Sequence, residues 1–237
     1  MSDLELVFVC TTYNPMGSLR WDLLEQTMES ARIAFKDCRL ILVDNGSNDG
    51  SFDALLELTH RYDAHYMGSP GAVNNSPGAA KRLAQMALRS RVSGVGISDK
   101  TVLVFSDDDM LWSPSAKEWI LSFWQNPPSD VAILCAYLEP DFSWNKPREV
   151  IDTGHVRALV RDSVPGAAWT FPMSMGKIIF PVPMTFGYDH KTCLKLAMMG
   201  KKVAQIDLCE HLGWEASTHG NDANLHAKPI DKARWGL

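Results

Sequence analysis

Three consecutive aspartates, Asp107, Asp108 and Asp109, follow the apolar, β-rich run at 101–106. Carboxylates clustered at the end of a buried strand are typical of a site for Mg²⁺ or Mn²⁺, since these cations prefer oxygen ligands and share them with substrate phosphates. Three neighbouring anions also repel one another, so we expect a positive group nearby. A solvated acidic turn is the alternative, because aspartate is common where strands end.

The composition limits the class of protein. The chain has 237 residues, 46% of them hydrophobic, and its formal net charge of −5 disfavours a general binder of nucleic acids or membrane surfaces. The longest apolar run, 131–138, is far too short to span a membrane, and from the acidic N-terminus we expect no signal peptide. Five scattered cysteines without a C-x-x-C pair indicate reduced thiols. We therefore expect a cytoplasmic protein without stable membrane insertion.

Strand-like and helix-like segments alternate along the chain. Buried, β-rich runs predict strands at 4–11, 39–43, 64–67, 101–106, 131–138 and 203–208. Helical patterns follow at 19–35, at 51–62, from Pro77-Gly78, from Ser113-Pro114 as N-cap and first helical residue, and at 188–199 before Gly200. This alternation predicts an α/β fold with a doubly wound, mostly parallel sheet.

Polar clusters follow three of the predicted strands. They are residues 11–14, the pair Asp44 and Asn45, and the three aspartates at 107–109. In doubly wound sheets, ligands bind beyond the carboxyl ends of the strands, near a switch in strand order. The sequence therefore predicts that the three clusters share one rim and form a binding site.

The composition and periodicity of the sequence change near residue 140. The segment 140–187 is rich in proline, glycine and aromatic residues and has no clear period, which is typical of a loop-rich region that shapes a binding site. No flexible linker or internal repeat divides the sequence. We therefore predict one domain over 1–237, with 1–139 as its first half and 140–237 as its second.

Two segments of the predicted rim carry a family resemblance. Residues 43–51 (VDNGSNDGS) are similar to the V-D-D-G-S-x-D-G-[ST] run of family-two glycosyltransferases, with Asn45 in place of the second aspartate. Residues 11–14 (TTYN) look like the T-x-Y-N segment of that group, whereas the glycine-rich turns of dehydrogenases and P-loop proteins are absent. The order of elements over 4–213 resembles nucleotide-sugar glycosyltransferases of the GT-A fold. The resemblance implies transfer of a sugar from a donor of the UDP or GDP type to a hydroxyl acceptor.

The same resemblance implies roles for the rim residues. Asp44 would hydrogen-bond the base, and Asp109 would bind a divalent cation, Mn²⁺ or Mg²⁺, that neutralises the departing diphosphate. Asp107 would reach the ribose or a metal-bound water, with Asp108 in support, so both belong to the implied donor and metal site. The residues implied to line the nucleoside pocket are Thr11, Thr12, Tyr13 and Asn14.

Two further residues complete the implied donor site. Lys81, in the run GAAKR at 78–82, stands where the family has G-G-A-R-N at a helix start near the donor. The alternative for Lys81 is a solvated helix lysine. A C-terminal histidine often completes the metal coordination in the family. His211 is the predicted ligand because it follows the last strand, His219 is its competitor, and a plain surface histidine is the alternative for either.

Asp189 is the predicted catalytic base. Inverting members of the family carry a Glu-Asp pair that opens a helix ending in glycine, and counting back from Gly200 places this pair on Tyr188 and Asp189. As a hypothesis, Asp189 deprotonates the acceptor hydroxyl while it attacks the anomeric carbon from the face opposite the leaving group. Helix capping is the alternative role. The replaced glutamate and the adjacent His190 leave the stereochemical outcome open.

Two other functions stay open from the sequence. A nucleotidyltransferase also combines an α/β nucleotide-binding half with aspartates and Mg²⁺, but it usually has a basic, glycine-rich loop after its first strand. Here no cation follows that strand before Arg20. The second alternative is a non-catalytic sugar- or nucleotide-binding module. The acceptor, which could be a glycan, a protein side chain or a modified nucleobase, is not readable, and neither is the oligomeric state.

Overall fold

The structure is a computed structural model, which describes residues 4–16, 20–68, 81, 84, 85, 88, 97–137, 146–154, 156–177 and 188–212. Its strands are β1 (Glu5–Thr12), β2 (Arg39–Asp44), β3 (Ala64–Gly68), β4 (Thr101–Asp107), β5 (Met110–Trp112), β6 (Val131–Tyr137), β7 (Glu149–Asp152), β8 (Arg157–Arg161), β9 (Trp169–Pro172) and β10 (Lys202–His211). Its helices are α1 (Arg20–Ala34), α2 (Phe52–Arg61), α3 (Ala116–Gln125) and α4 (Tyr188–Met198). Lys81, Ala84, Gln85 and Leu88 are also helical.

The first four strands form the parallel part of a single sheet. Strand β1 lies between β2 and β4, β3 lies beyond β2, and all three pairings are parallel. Strands β1, β2 and β4 are apolar and largely buried, as expected for strands covered on both faces by helices, whereas the edge strand β3 is partly exposed. The predicted α/β, doubly wound fold is confirmed. The start of the helix predicted from Pro77-Gly78 lies outside the described residues.

The second half of the chain adds antiparallel strands to the same sheet. The full order is β3-β2-β1-β4-β9-β6-β10-β8-β7, with β5 paired to β10. Strand β9 lies antiparallel between β4 and β6, and β10 runs parallel to β6. Three of these strands, β7, β8 and β9, come from the segment 140–187, which was predicted to be loop-rich. Each has only four or five residues, which is too short to show a period in the sequence.

Strand β5 was not predicted, and it is fixed from both sides. Its backbone pairs with β10, which sets Met110 opposite His211. On its other side, the backbone N–H groups of Met110 and Trp112 donate to the hydroxyl groups of Thr27 and Ser30 on α1, at 3.0 and 3.1 Å. This arrangement places the end of β10 beside the residues that follow β4.

The start of α3 differs from its prediction. The sequence predicts Ser113 as N-cap, whereas the helix begins at Ala116 after Ser115. The reason is that the Ser113 N–H donates to the Leu208 carbonyl oxygen at 2.9 Å, so this residue continues the sheet pairing.

The end of α4 agrees with its prediction. Gly200 has a φ of +70°, and Lys201 N–H donates to the Leu196 carbonyl at 2.9 Å, as in a Schellman cap.

The core and the cysteines agree with the composition. Phe8, Phe35 and Trp112 form an aromatic cluster with ring centroids 4.9 to 5.7 Å apart. All five cysteines are free thiols, as predicted. No helix in the described part of the chain is long and apolar enough to cross a membrane.

Candidate functional site

The three predicted polar clusters meet at one rim of the sheet. Strand β1 pairs with both neighbours up to its last residues, which sets Thr11 opposite Asp107 and Thr12 opposite Asp44. Because the three strands are parallel, their carboxyl ends and the residues that follow them lie together. The predicted common rim is confirmed.

Asp108 is held entirely by protein groups. It is 2% exposed, and its Oδ1 accepts a hydrogen bond from the guanidinium of Arg20. Its Oδ2 accepts from Thr12 Oγ1 at 2.6 Å and lies 3.4 Å from Arg20 Nε. Two-point contact of this kind is the strongest arginine–carboxylate geometry. Arg20, at the first turn of α1, is therefore one of the positive groups that the aspartates predicted.

Asp109 is buried but incompletely paired. Its side chain is 4% exposed, and its Oδ1 has no hydrogen-bond partner among the described residues. Its Oδ2 lies 3.5 Å from His211 Nε2 and 3.7 Å from Arg20 Nη2. The backbone fixes this arrangement, because Leu212 N–H donates to the Asp109 carbonyl at 2.7 Å. A buried carboxylate oxygen without a donor is costly for the fold, so this oxygen is open to a ligand.

Lys81 is the second positive group of the site. The side chain is fully buried, and its Nζ donates to Asp107 Oδ1 at 2.6 Å and to the Gly166 carbonyl at 2.5 Å. The alternative of a solvated helix lysine is therefore wrong. Residues 78–80 and 82 of the same predicted segment lie outside the described residues.

We expect Lys81→Met to destabilise the protein. Methionine fills a similar volume but leaves the Asp107 carboxylate and the Gly166 carbonyl without their cation, so the free energy of unfolding should fall by about 3–5 kcal/mol. Urea unfolding measures this change. Lys117→Met is the matched control, because Lys117 makes an exposed contact to the Lys36 carbonyl and its loss should cost less than about 0.5 kcal/mol. Equal stability of the two variants would contradict the buried pairing of Lys81.

Gly166 connects the Lys81 pair to the predicted base. Its carbonyl accepts from Lys81, and its N–H donates to Asp189 Oδ2 at 3.3 Å. Asp189 lies in the first turn of α4, where its Oδ1 also accepts from the His190 N–H at 2.8 Å. The residue is half-buried. Asp189 is therefore linked to Asp107 through Lys81 and Gly166, the first residue of a short 3-10 helix (Gly166–Ala168).

Asp44 is engaged by its own loop and by the next strand. Its Oδ1 accepts from the N–H and hydroxyl of Ser47 at 2.9 and 2.6 Å, and its Oδ2 accepts from the Tyr66 hydroxyl at 2.8 Å. Burial, and then the bond to Asp44, raise the pKa of Tyr66 well above its usual range, so the phenol remains a donor. Gly68 permits this contact, since a Cβ there would lie 2.8 Å from the Asp44 Cβ.

The loops after β1 and β2 are joined by a pair of amides. Asn14 Nδ2 donates to Asn48 Oδ1 at 2.8 Å, and Asn48 N–H donates back to Asn14 Oδ1 at 2.7 Å. The Asn14 N–H also donates to the Ser47 hydroxyl at 2.9 Å. Asn14 has a φ of +47°, a conformation that asparagine tolerates better than most residues. Tyr13 precedes it and is half-buried.

The described residues contain no group of three or more His, Cys, Asp or Glu arranged to hold a metal ion. Of the three predicted ligands, Asp109 and His211 lie together, whereas Asp107 is bound by Lys81. His219 lies outside the described residues. Two protein ligands, one of them with an unpaired buried oxygen, fit Mg²⁺ or Mn²⁺, because these cations usually complete their coordination with waters and substrate phosphates.

Sequence reasoning missed three residues that hold this site. Arg20 lies 88 positions before Asp108 and carries no local signal, although the repulsion among the aspartates predicted a cation of this kind. Tyr66 could have been found, because it lies in a predicted strand that pairs with β2, the strand that ends at Asp44. Gly166 lies in the segment without a period, and no signal in the sequence identifies it.

Solved structures similar to this chain include glycosyltransferases. TarS of S. aureus matches with a TM-score of 0.60 at 9% identity, over 88% of this chain and 37% of TarS. GalNAc-T7 with UDP, GalNAc and Mn²⁺ matches with a TM-score of 0.62 at 11% identity, and the match covers 92% of this chain and 45% of GalNAc-T7. The mannosyltransferase PcManGT of Pyrobaculum calidifontis, in complex with GDP-Man and Mn²⁺, matches with a TM-score of 0.61 at 16% identity. This match covers 96% of the present chain and 64% of PcManGT. These likenesses confirm the predicted GT-A fold. The chain spans less than two thirds of the length of each of these proteins.

The sequence itself identifies the family. No curated protein matches the chain. The sequence model of glycosyl transferase family 2 matches residues 8–171, which is well over half of the 237 residues. This span includes the β1, β2 and β4 ends that build the rim. The chain therefore belongs to glycosyl transferase family 2.

Proposed function

We propose that the protein transfers a sugar from a nucleotide-diphosphate sugar to a hydroxyl acceptor in a metal-dependent, inverting reaction. One observation carries most of this proposal. Asp109 is buried at the strand-end rim with an unpaired oxygen, and His211 lies beside it. A fold does not keep an unpaired buried carboxylate oxygen for its own stability, so this atom indicates a ligand site.

In this proposal, Asp109 and His211 would hold Mn²⁺ or Mg²⁺ at the donor site. When bound, such a cation neutralises the charge that develops on the departing nucleoside diphosphate. Asp107 contributes its remaining carboxylate oxygen toward the ribose or a metal-bound water, and Lys81 fixes its orientation. Asp108 acts indirectly, because Arg20 and Thr12 occupy both of its oxygens.

The nucleoside pocket lies between the loops after β1 and β2. Its residues are Thr11, Thr12, Tyr13, Asn14 and Asp44. A carboxylate offers about four acceptor positions, and Ser47 and Tyr66 use three of those on Asp44. The last position, on Oδ2, suits one N–H of the base. Uracil and guanine both present such a group, which agrees with a donor of the UDP or GDP type.

Asp189 is the proposed general base. The acceptor oxygen forms a bond to the anomeric carbon, its proton moves to the Asp189 carboxylate, and the bond from that carbon to the phosphate oxygen breaks. The nucleoside diphosphate leaves with the electron pair of that bond. The position of Asp189 supports this role, because Gly166 ties its carboxylate to the Lys81–Asp107 pair at the rim.

The two halves of the chain have different roles in this proposal, and the protein is assigned to the cytoplasm. Residues 1–139 would bind the donor and 140–237 the acceptor, which is a hydroxyl group on a glycan, a protein or a modified nucleobase. The five free thiols favour a reducing, cytoplasmic location.

Thermal unfolding with a panel of ligands tests the donor site. We expect UDP or GDP, and the corresponding nucleotide sugars, to raise the midpoint in Mn²⁺ or Mg²⁺ but not in EDTA. At a ligand concentration of about 100 Kd, binding adds about 2.7 kcal/mol, or about 5–10 °C for a chain of this size. The nucleoside monophosphate is the matched control, because it lacks the second phosphate for the cation.

The products then separate the possible reactions. Sugar transfer releases the free nucleoside diphosphate, whereas a nucleotidyltransferase would release pyrophosphate from a nucleoside triphosphate. No midpoint shift with any nucleotide, in either metal, would contradict a donor site at this rim.

A further inference from the structure

Two cations are built into the carboxylate cluster of the rim. Arg20 binds Asp108 and approaches Asp109, and Lys81 binds Asp107. Among these five side chains the formal charge is therefore only −1. Both cations are buried, so solvent screens them weakly. The protein itself supplies most of the positive charge that the three aspartates need.

Arg20 is the cation that bears on the candidate metal ligand. Its Nη2 lies 3.7 Å from Asp109 Oδ2, the oxygen that also faces His211. A divalent cation on Asp109 would share that carboxylate with the guanidinium, and two like charges at such range repel strongly in a buried site.

The ligands that the described residues supply are also too few for tight binding on their own. Asp109 and His211 are the only pair of the predicted ligands that the described residues bring together. The hard cations Mg²⁺ and Mn²⁺ take about six ligands, so most of them must come from water or phosphate. A diphosphate supplies oxygen ligands and also negative charge that offsets Arg20.

We propose that Arg20 keeps the metal site weak until a nucleoside diphosphate arrives, so that the cation and the diphosphate bind together. This inference rests on the proposed function and adds a binding order to it. Arg20 is a positioning residue: it holds Asp108 directly and sets the charge that Asp109 presents. A nucleotide-free protein then stays without bound metal and needs none to fold.

Mn²⁺ binding measured by electron paramagnetic resonance tests this in the wild-type protein. The free and bound ion are distinguished with Mn²⁺ alone, with Mn²⁺ and UDP, and with Mn²⁺ and GDP, each against a matched sample without protein. We expect binding at least about tenfold tighter with one of the two diphosphates than with Mn²⁺ alone.

Arg20 variants test the residue. Arg20→Met should bind Mn²⁺ alone at least about tenfold more tightly than the wild type, because the repelling charge is gone. Arg20→Lys keeps the charge and should bind Mn²⁺ alone as weakly as the wild type. Damage to the fold cannot produce tighter binding, so the direction of the Arg20→Met effect excludes a merely structural role.

Each result has one meaning. Equal Mn²⁺ affinity with and without diphosphate in the wild type would overturn the inference and leave the proposed function intact. Unchanged or weaker Mn²⁺ binding by folded Arg20→Met, or tighter binding by Arg20→Lys, would also overturn it. If Arg20→Met does not fold, the wild-type and Arg20→Lys results decide. Absence of Mn²⁺ binding with every nucleotide would instead contradict the proposed function.

Discussion

Asp109→Asn is expected to abolish metal-dependent donor binding without destabilising the protein. Asparagine keeps the shape of the side chain but removes the charge that a divalent cation needs. In the wild type one oxygen of this buried carboxylate has no partner in the described part of the chain, and its ion pair with Arg20 is long, at 3.7 Å. Removing a poorly paired buried charge costs the fold little, so the free energy of unfolding should change by less than about 1 kcal/mol.

Two measurements on the same variant check this expectation. The first is the rise of the unfolding midpoint with UDP or GDP and Mn²⁺, which should disappear in Asp109→Asn. The second is kcat/KM for nucleoside diphosphate release, which should fall by about 10²–10³-fold, the usual effect of losing one group that stabilises developing charge. Urea unfolding without ligand gives the stability.

Asp108→Asn is the control, since it changes the adjacent aspartate in the same way. Asp108 is bound by Arg20 and by Thr12 at 2.6 Å, so its neutral analogue leaves a buried guanidinium poorly paired. We expect the free energy of unfolding to fall by about 3–5 kcal/mol. Neighbouring residues of the same type should thus give opposite results, one losing function and the other stability. An Asp109→Asn protein that keeps its Mn²⁺-dependent shift would contradict the metal-ligand role.

Strands β1, β2 and β4 of the parallel half could be predicted because they are buried on both faces. Such strands appear in the sequence as continuous apolar runs that end in polar residues, and Asp44 and Asp107 mark two of those ends. The antiparallel half has no comparable signal. Strand β5 has three residues, and its backbone is held by hydroxyl groups of α1. Strand β9 has four residues and pairs with β4 and β6, which both lie far before it in the sequence. Contacts of this kind are set by tertiary structure.

The site, like the fold, has one part that local sequence predicts and another that only tertiary contacts determine. Local sequence indicated which residues lie at the rim, and the charge of three aspartates predicted that a cation must be near them. The identity of that cation could not be predicted, because Arg20 and Asp108 are 88 positions apart and only the folded sheet brings them together. Lys81 lies at the rim beside Asp107, and its contact with Gly166 spans 85 positions, so its complete burial could not be predicted.

Asp189→Asn is expected to stop sugar transfer while donor binding persists. An amide cannot accept the proton of the acceptor hydroxyl, and loss of a positioned general base costs about 10²–10⁴-fold in rate. The fold should survive, because asparagine can still accept one of the two backbone hydrogen bonds, from Gly166 or from His190. We therefore expect a lower kcat with an unchanged Mn²⁺-dependent midpoint shift.

The measurement is the release of nucleoside diphosphate from the donor that the binding panel selects. Rates with a panel of hydroxyl acceptors and with water alone are compared between wild type and variant. Both reactions need the acceptor oxygen to lose a proton, so both should slow. The anomeric configuration of the transferred sugar, measured by NMR, reports separately whether the reaction inverts.

His190→Ala is the matched control for Asp189→Asn. His190 is the exposed neighbour of Asp189 at the start of α4, and its imidazole could also accept a proton. If Asp189 is the base, His190→Ala should keep a kcat within about threefold of wild type. Near-normal turnover of Asp189→Asn together with a large loss in His190→Ala would move the base to the histidine. Retained anomeric configuration would instead contradict the single-displacement reaction, because direct attack from the face opposite the leaving group must invert that carbon.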